Sequence, residues 1–92
     1  MIETFEIDSQ AKMIPADDYK HRTDSSKVLV YIDHENKVVY LWRGNSAGVV
    51  NKLVGTRVAA VLSHRYPDYR IRPIAEGDEP AAFKDLIGRP QD

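Results

Sequence analysis

The segment Ile74-Ala-Glu-Gly-Asp-Glu-Pro-Ala-Ala-Phe-Lys-Asp-Leu-Ile-Gly88 joins the end of a predicted strand, an acidic turn and a short amphipathic helix. Gly77 permits a backbone reversal that a residue with a Cβ would resist, and Pro80 suits the first turn of a helix. Gly88 and Pro90 are expected to end that helix. The apolar residues at helical spacing are Phe83, Leu86 and Ile87.

A long helix is predicted upstream, from about Ala47 to about Arg65, with Asn45 or Ser46 as its cap. A helical wheel places large apolar residues on one side and small residues on the other. The apolar residues are Val50, Leu53, Val54, Val58, Val61 and Leu62, and the small ones are Thr56, Ala59, Ala60 and Ser63. Gly55 costs roughly 1 kcal/mol relative to alanine in such a helix. Either another backbone approaches it closely, or the glycine is simply tolerated.

A β-hairpin precedes the long helix. The strands are predicted at Val28–Asp33 and Lys37–Arg43, and they flank the polar turn His34–Asn36. Both strands are apolar at nearly every position, whereas a strand with one solvated face alternates. Helices are therefore expected to cover both faces of the sheet.

Three further extended segments complete the predicted fold. Thr4–Ile7 is expected to be an edge strand, Lys12–Pro15 a short second piece, and Tyr69–Ala75 a strand in which Pro73 indicates an edge or a strand end. The helical crossover makes the last strand parallel to its neighbour. Residues 1–92 are thus predicted to form a single α+β domain, a five-stranded mixed sheet between one long and one short helix.

Composition describes an ordinary water-soluble domain. The 92 residues are 42% hydrophobic and 29% charged, and the net charge of -1 does not favour nucleic-acid binding. The absence of cysteine excludes disulfides, a thiolate nucleophile and cysteine-ligated zinc. The longest apolar run, Val38–Trp42, is too short to span a bilayer.

The two ends of the sequence carry further expectations. Met1 leads directly into Glu3 and Glu6, so no signal peptide is apparent and a cytoplasmic location is expected. The initial methionine and the polar end at Gln91 and Asp92 favour a complete small protein. We expect it to be a monomer.

The middle third of the chain is basic. No acidic residue lies between Asn36 and Asp68, whereas five cationic residues do: Lys37, Arg43, Lys52, Arg57 and Arg65. This bias is either chance among solvated side chains in a short chain or a basic flank for an acidic protein or an acidic lipid surface. Both interpretations stay open at this point.

No catalytic or zinc-binding pattern is present. The histidines are His21, His34 and His64, and none has a second metal-ligating residue at helical spacing on a predicted helix. Ser25 and Ser26 beside Asp24 lack a general base and indicate a turn. A base-stacking platform is disfavoured because its aromatic residues, which are Tyr31, Tyr40 and Trp42, lie on strands that helices must cover.

The order of elements, together with two motifs, resembles the gelsolin-like repeat. The hairpin ends in Leu41-Trp42-Arg43-Gly44, and the chain closes on Glu76-Gly77-Asp78-Glu79-Pro80-x-x-Phe83-x-x-Leu86-Ile87-Gly88. Tyr19–Asp33 also has the family's spacing of an aromatic residue, a polar stretch, an apolar strand and an aspartate. The resemblance extends from about Thr4 to Gly88. It implies a single-domain form of the repeat of gelsolin, villin and severin, whose fold is related to that of ADF-cofilin.

The resemblance implies an actin-binding protein without enzymatic activity that sequesters monomers or binds filament ends. Its long helix would insert into the cleft between two actin subdomains, against a surface that is acidic in this family. The residues expected at the contact are Val49, Lys52, Leu53, Thr56, Arg57 and Ala60. Some gelsolin-like repeats have no role with actin, so a scaffold or adaptor associated with vesicle-coat or small-GTPase machinery is the alternative.

The resemblance also bears on calcium. The family's calcium site uses a Gly-Asp pair and a Glu early in the long helix, and the corresponding residues here are Lys27, Val28 and Asn51. Calcium requires several oxygen ligands, preferably charged. Calcium is therefore possible but not expected at this site, and Asp24 and Asp33 are the remaining weak candidates for ligands.

Overall fold

The architecture is the predicted α+β sandwich. In the computed structural model of the chain, residues 2–88 are described, and for residues 49–52 the backbone alone. In order along the chain, the elements are β1 (Ile2–Ile7), β2 (Met13–Pro15), β3 (Val28–Asp33), β4 (Val38–Arg43), α1 (Gly48–Arg65), β5 (Arg70–Ala75) and α2 (Ala81–Gly88). A single turn of 3-10 helix at Asp17–Tyr19 follows β2. Pro90, expected to help end the short helix, lies outside the described residues.

The strands form a five-stranded mixed sheet in the order β2-β1-β3-β4-β5. The first three pairings are antiparallel, and β4 and β5 are parallel, as the α1 crossover requires. The predicted hairpin is confirmed, with Tyr31 opposite Tyr40. Strand β5 lies at an edge, which agrees with the position of Pro73.

The prediction of an edge strand at Thr4–Ile7 is wrong, because β1 lies between β2 and β3. The alternation in β1 is weak since Thr4, a polar residue, is buried. Its hydroxyl donates to the carbonyl of Ala16 at 2.7 Å, and its own carbonyl accepts from the Ala16 amide at 2.9 Å. A satisfied polar side chain is therefore buried where the sequence pattern suggested solvent.

Two hydrophobic cores lie on opposite faces of the sheet, which explains the continuous apolar runs in β3 and β4. On the α1 face the buried residues include Val28, Val30, Ile32, Val39, Leu41, Val58 and Leu62. On the α2 face they include Leu29, Tyr31, Tyr40, Trp42, Phe83 and Leu86. Tyr31 meets Phe83 edge to face with ring centroids 5.0 Å apart. The predicted cover on both faces is thus confirmed.

Helix α1 presents a different side to the sheet from the one predicted. Val58 and Leu62 are buried as expected, but Leu53 is 68% exposed and Val61 is 53% exposed. Gly55 is also buried, so a part of α1 without large side chains faces the sheet. Leu53 and Val61 are consequently turned outward. The side chain of Val50, predicted on the same side, lies outside the description.

The predicted cap at Asn45 or Ser46 is also wrong. Ala47 occupies the N-cap position, and no side chain caps the helix there. The two residues before it are held in a loop instead: the Asn45 amide donates to Oε1 of Glu76 at 2.8 Å, and the Ser46 amide donates to the carbonyl of Ser25 at 2.9 Å. This loop sets the start of α1 by tertiary contacts.

Replacement of Gly55 by alanine is expected to stabilise the protein by about 0.5–1 kcal/mol, because alanine restricts the unfolded chain and favours the helix. The suggested close approach of another backbone is absent: a Cβ at Gly55 would meet Val28 Cγ1 at 3.8 Å and Leu41 Cδ2 at 4.0 Å, which are ordinary contact distances. Urea denaturation followed by circular dichroism measures the change. A variant less stable than the wild type would contradict this account of Gly55.

Candidate functional site

The outward face of α1 is the candidate site. Leu53, Thr56, Arg57 and Ala60 are all exposed, and their spacing of i, i+3, i+4 and i+7 places them on one stripe of the helix. The structure therefore brings together four of the six residues expected at the contact. For the other two, Val49 and Lys52, the backbone belongs to α1 and the side chains lie outside the description.

His64 extends the same stripe and was not among the expected contact residues. It lies four residues after Ala60 and is exposed. The same helical spacing that relates Leu53 to Ala60 would have indicated it in the sequence. Val61 is also exposed and lies one turn after Arg57, at the margin of the stripe, where it lines a groove with Ala11 and Met13.

The stripe combines an apolar anchor with small and basic neighbours. Leu53 projects into solvent beside Thr56 and Ala60, whose small side chains allow close approach, and Arg57 supplies a cation. The sequence of α1 contains no acidic residue. A protruding apolar residue with a basic rim suits an apolar groove whose margin is acidic, the common arrangement for a helix that binds in a groove.

Glu76 links three segments near the start of α1. Its carboxylate accepts from the Ser25 hydroxyl at 2.6 Å and from the Asn45 amide at 2.8 Å. The Gly44 amide also donates to the carbonyl of Lys27 at 3.0 Å. The loop before β3 and the loop before α1 are thereby joined to the acidic turn, which fixes where α1 leaves the sheet.

Glu79 connects the two sequence motifs directly. Its Oε2 accepts from the indole N–H of the buried Trp42 at 3.0 Å, and its Oε1 accepts from the Gly77 amide at 2.9 Å. The hydrogen bond from the indole lowers the pKa of the Glu79 carboxyl. Gly77 has φ of +94°, which confirms its predicted role in the reversal. The need of a buried tryptophan for an acceptor could have indicated this bond in the sequence.

The positions expected to lack calcium ligands have structural roles. Lys27 Nζ forms an ion pair with Glu6 Oε2 at 3.3 Å, and Val28 is buried in the α1-face core. The side chain of Asn51 lies outside the description. Among the described residues, no group of three or more histidine, aspartate or glutamate side chains is arranged to hold a metal ion.

The two remaining calcium candidates are far apart. Asp24 accepts from the amide and the hydroxyl of Ser26 at 2.9 and 2.7 Å, and these bonds lower the pKa of its carboxyl. Asp33 is buried and accepts from the Asn36 side-chain amide at 2.8 Å. Asp33 is the last residue of β3, whereas Asp24 lies in the loop four residues before that strand begins, so the length of β3, about 17 Å, lies between them. The structure therefore does not bring these two carboxylates together.

The other polar groups singled out in the sequence also serve structural contacts. His34 lies between Glu3 and Tyr69, with 2.7 Å from Nε2 to the carboxylate and 2.7 Å from Nδ1 to the phenol oxygen. Because an ionised carboxylate can only accept, the Nε2–H group of His34 donates to Glu3. Ser26 holds a turn by donating to Asp24, as predicted, whereas the Ser25 hydroxyl donates to the distant Glu76. The aromatic residues of the rejected stacking platform are buried: Tyr31, Tyr40 and Trp42.

Within residues 2–88, neither helix has the length and apolar character needed to cross a membrane.

Comparison with known proteins places the chain in a family. Neither models of known protein families nor curated protein sequences gave a match. Among solved structures, the chain is similar to Thorarchaeota ProGel from its crystal structure with rabbit actin, with 60% identity, a TM-score of 0.87, and coverage of 96% of this chain and 100% of that one. Thorarchaeota 2DGel3, also crystallised with rabbit actin, shares the fold at 22% identity and a TM-score of 0.75, over 92% of this chain and 42% of that one. Since a relative of such identity is covered over its whole length, the chain belongs to the gelsolin-like family of Thorarchaeota ProGel.

Proposed function

We propose that the protein binds actin through the outward stripe of α1 and regulates actin assembly without catalysing a reaction. The observation that carries this proposal is the 68% exposure of Leu53 on a helix whose charged residues are all basic. Covering this leucine together with the neighbouring side chains of Thr56 and Ala60 would contribute favourable apolar burial to a complex. The relative with 60% identity was crystallised with actin, which supports actin as that partner.

The proposed mode of action is monomer sequestration or binding to a filament end, in the cytoplasm. One actin-binding helix on a compact domain can occupy one cleft, whereas severing in this family usually takes linked domains. The assembly of pyrene-labelled actin distinguishes the modes. Sequestration would lower the final polymer level in proportion to added protein, and end binding would slow elongation at substoichiometric amounts.

Assembly curves that are identical with and without the protein would contradict the proposal. A pull-down then tests the alternative of an adaptor: retention of a small GTPase or of a second copy of the chain, with no retention of actin, would favour it. Both experiments use the whole 92-residue chain.

We further propose that actin binding is independent of tight calcium control. The side chains of Lys27 and Val28 supply no oxygen ligand, and Asp24 lies in the loop before β3 whereas Asp33 is the last residue of that strand. Calorimetric titration of the isolated protein is expected to give no saturable binding at micromolar calcium. A micromolar dissociation constant for calcium would contradict the prediction, and its loss in the Asp24→Asn variant would assign the site to that carboxylate.

A further inference from the structure

Both edge strands of the sheet, β2 and β5, carry a proline where a backbone N–H would point away from the sheet. In β5, the Arg70 amide donates to the carbonyl of Lys37 at 2.9 Å. The Glu76 amide, directly after β5, donates to the carbonyl of Arg43 at 2.9 Å. Because the N–H groups of a strand point alternately to its two sides, the even-numbered amides of β5 face β4 and the odd-numbered positions face away. Pro73 is exposed and is the middle one of the three odd-numbered residues of β5.

The opposite edge, β2, has the same arrangement. The Ala16 amide donates to the carbonyl of Thr4 at 2.9 Å, and the carbonyl of Lys12 accepts from the Asp8 amide at 3.0 Å. The even-numbered backbone groups therefore face β1, and the position of Pro15 faces away. Strand β2 has three residues and β5 has six, so β5 is the edge that is long enough to accept a further strand.

Apart from its proline, β5 is suited to antiparallel pairing with the β5 strand of a second copy of the chain. If the pair is centred on position 73, Arg72 of one copy lies opposite Ile74 of the other. Arg70 lies opposite Glu76 in the same register. No two arginines are directly opposite each other, so like charges do not prevent this pairing. At the centre, position 73 of each copy would donate an N–H to the carbonyl of the other, and proline removes both donors.

We propose that Pro73 keeps the protein monomeric by preventing two copies from joining through β5 into one continuous sheet. An unprotected edge strand presents a row of N–H and C=O groups to any other strand, and a proline interrupts that row. Pro73 interrupts it at the centre of the longer edge, where the self-pairing would have its two central hydrogen bonds. This edge does not include the outward stripe of α1, so the proposal can fail independently of the proposed actin contact.

The test is sedimentation velocity of the whole chain over a range of concentrations up to the millimolar level. The wild type is expected to keep the mass of one chain, whereas the mass of Pro73→Val is expected to approach a twofold higher value as the concentration rises. Pro67→Val is the matched control, since Pro67 is an exposed proline in the loop between α1 and β5; it should stay monomeric. Hydrogen exchange of the amide at position 73 should slow as Pro73→Val associates, because that N–H then donates to the second copy.

Three results would overturn the proposal. The first is a folded Pro73→Val protein that stays monomeric at millimolar concentration. The second is equal association of Pro67→Val, which would assign the effect to the added valine and not to the edge of the sheet. The third is association of Pro73→Val without protection of the amide at position 73, which would place the contact elsewhere. Pro73 is exposed, so the variant is expected to fold; if thermal denaturation shows otherwise, Pro73→Thr, which also carries an N–H, decides by the same measurements.

Discussion

Replacement of Leu53 by aspartate is expected to weaken actin binding at least about 30-fold, which corresponds to the loss of a hot-spot residue at about 2 kcal/mol. Leu53 is the most exposed large apolar residue of the outward stripe. In the complex its side chain would be buried, and a carboxylate in its place would lose its hydration without gaining a partner. The substitution should change the free energy of unfolding of the unbound protein only slightly, because Leu53 is 68% exposed.

The matched control is Val61→Asp, which introduces the same charge into the same helix. Val61 is 53% exposed and lies about 80° around α1 from Leu53, at the margin of the stripe, where it faces the flank toward β2. This variant should lose clearly less affinity for actin than Leu53→Asp. Fluorescence anisotropy of labelled protein titrated with monomeric actin measures both affinities. If the two variants lose affinity equally, the contact is not the stripe defined by Leu53.

Much of the fold could be predicted from the sequence because its signals are local. The apolar runs of β3 and β4, separated by a polar turn, specify a hairpin covered on both faces. The Gly77 turn followed by α2 is equally local. The sequence shows directly the glycine that permits a positive φ and the helical spacing of Phe83 and Leu86. These elements were predicted correctly with nearly the observed boundaries.

The errors concern features that depend on tertiary contacts. The position of β1 inside the sheet depends on a hydroxyl of Thr4 that is satisfied twelve residues away. The rotation of α1 depends on how Gly55 fits over Val28 and Leu41, and a helical wheel carries no information about the surface beneath. The candidate site shares this limit: helical spacing identified the stripe, but only packing shows that its large apolar residue, Leu53, is exposed.

The Glu76 and Glu79 contacts show why the two family motifs occur together. Glu79 accepts from Trp42, and Glu76 accepts from the loop residues Ser25 and Asn45. One motif therefore supplies the acceptors for polar groups in and around the other. The same arrangement explains why Leu41-Trp42-Arg43-Gly44 ends in a glycine. The loop that contains Ser25 lies directly against Gly44 and leaves no room for a Cβ.

Gly44→Ala is accordingly expected to destabilise the protein by about 3–5 kcal/mol. A Cβ at this position would clash with the carbonyl oxygen of Ser25 and lie 2.5 Å from its carbonyl carbon, and backbone atoms cannot move aside as the end of a flexible side chain can. The loop would have to shift, which would break the bonds from Gly44 to Lys27 and from Ser46 to Ser25. Two hydrogen bonds at about 1 kcal/mol each add to a strain of about 1–3 kcal/mol.

Thermal denaturation followed by circular dichroism gives the measurement, and a fall in Tm of about 12–25 °C is expected for a domain of this size. Gly55→Ala is the matched control, because the same substitution at a position with ordinary contact distances is expected to raise the stability. A lower Tm in Gly44→Ala and a higher Tm in Gly55→Ala would distinguish a glycine that a close backbone approach requires from one that is merely tolerated. If Gly44→Ala were as stable as the wild type, the loop at Ser25 would not be fixed against Gly44, and the start of α1 would have to be positioned by Glu76 alone.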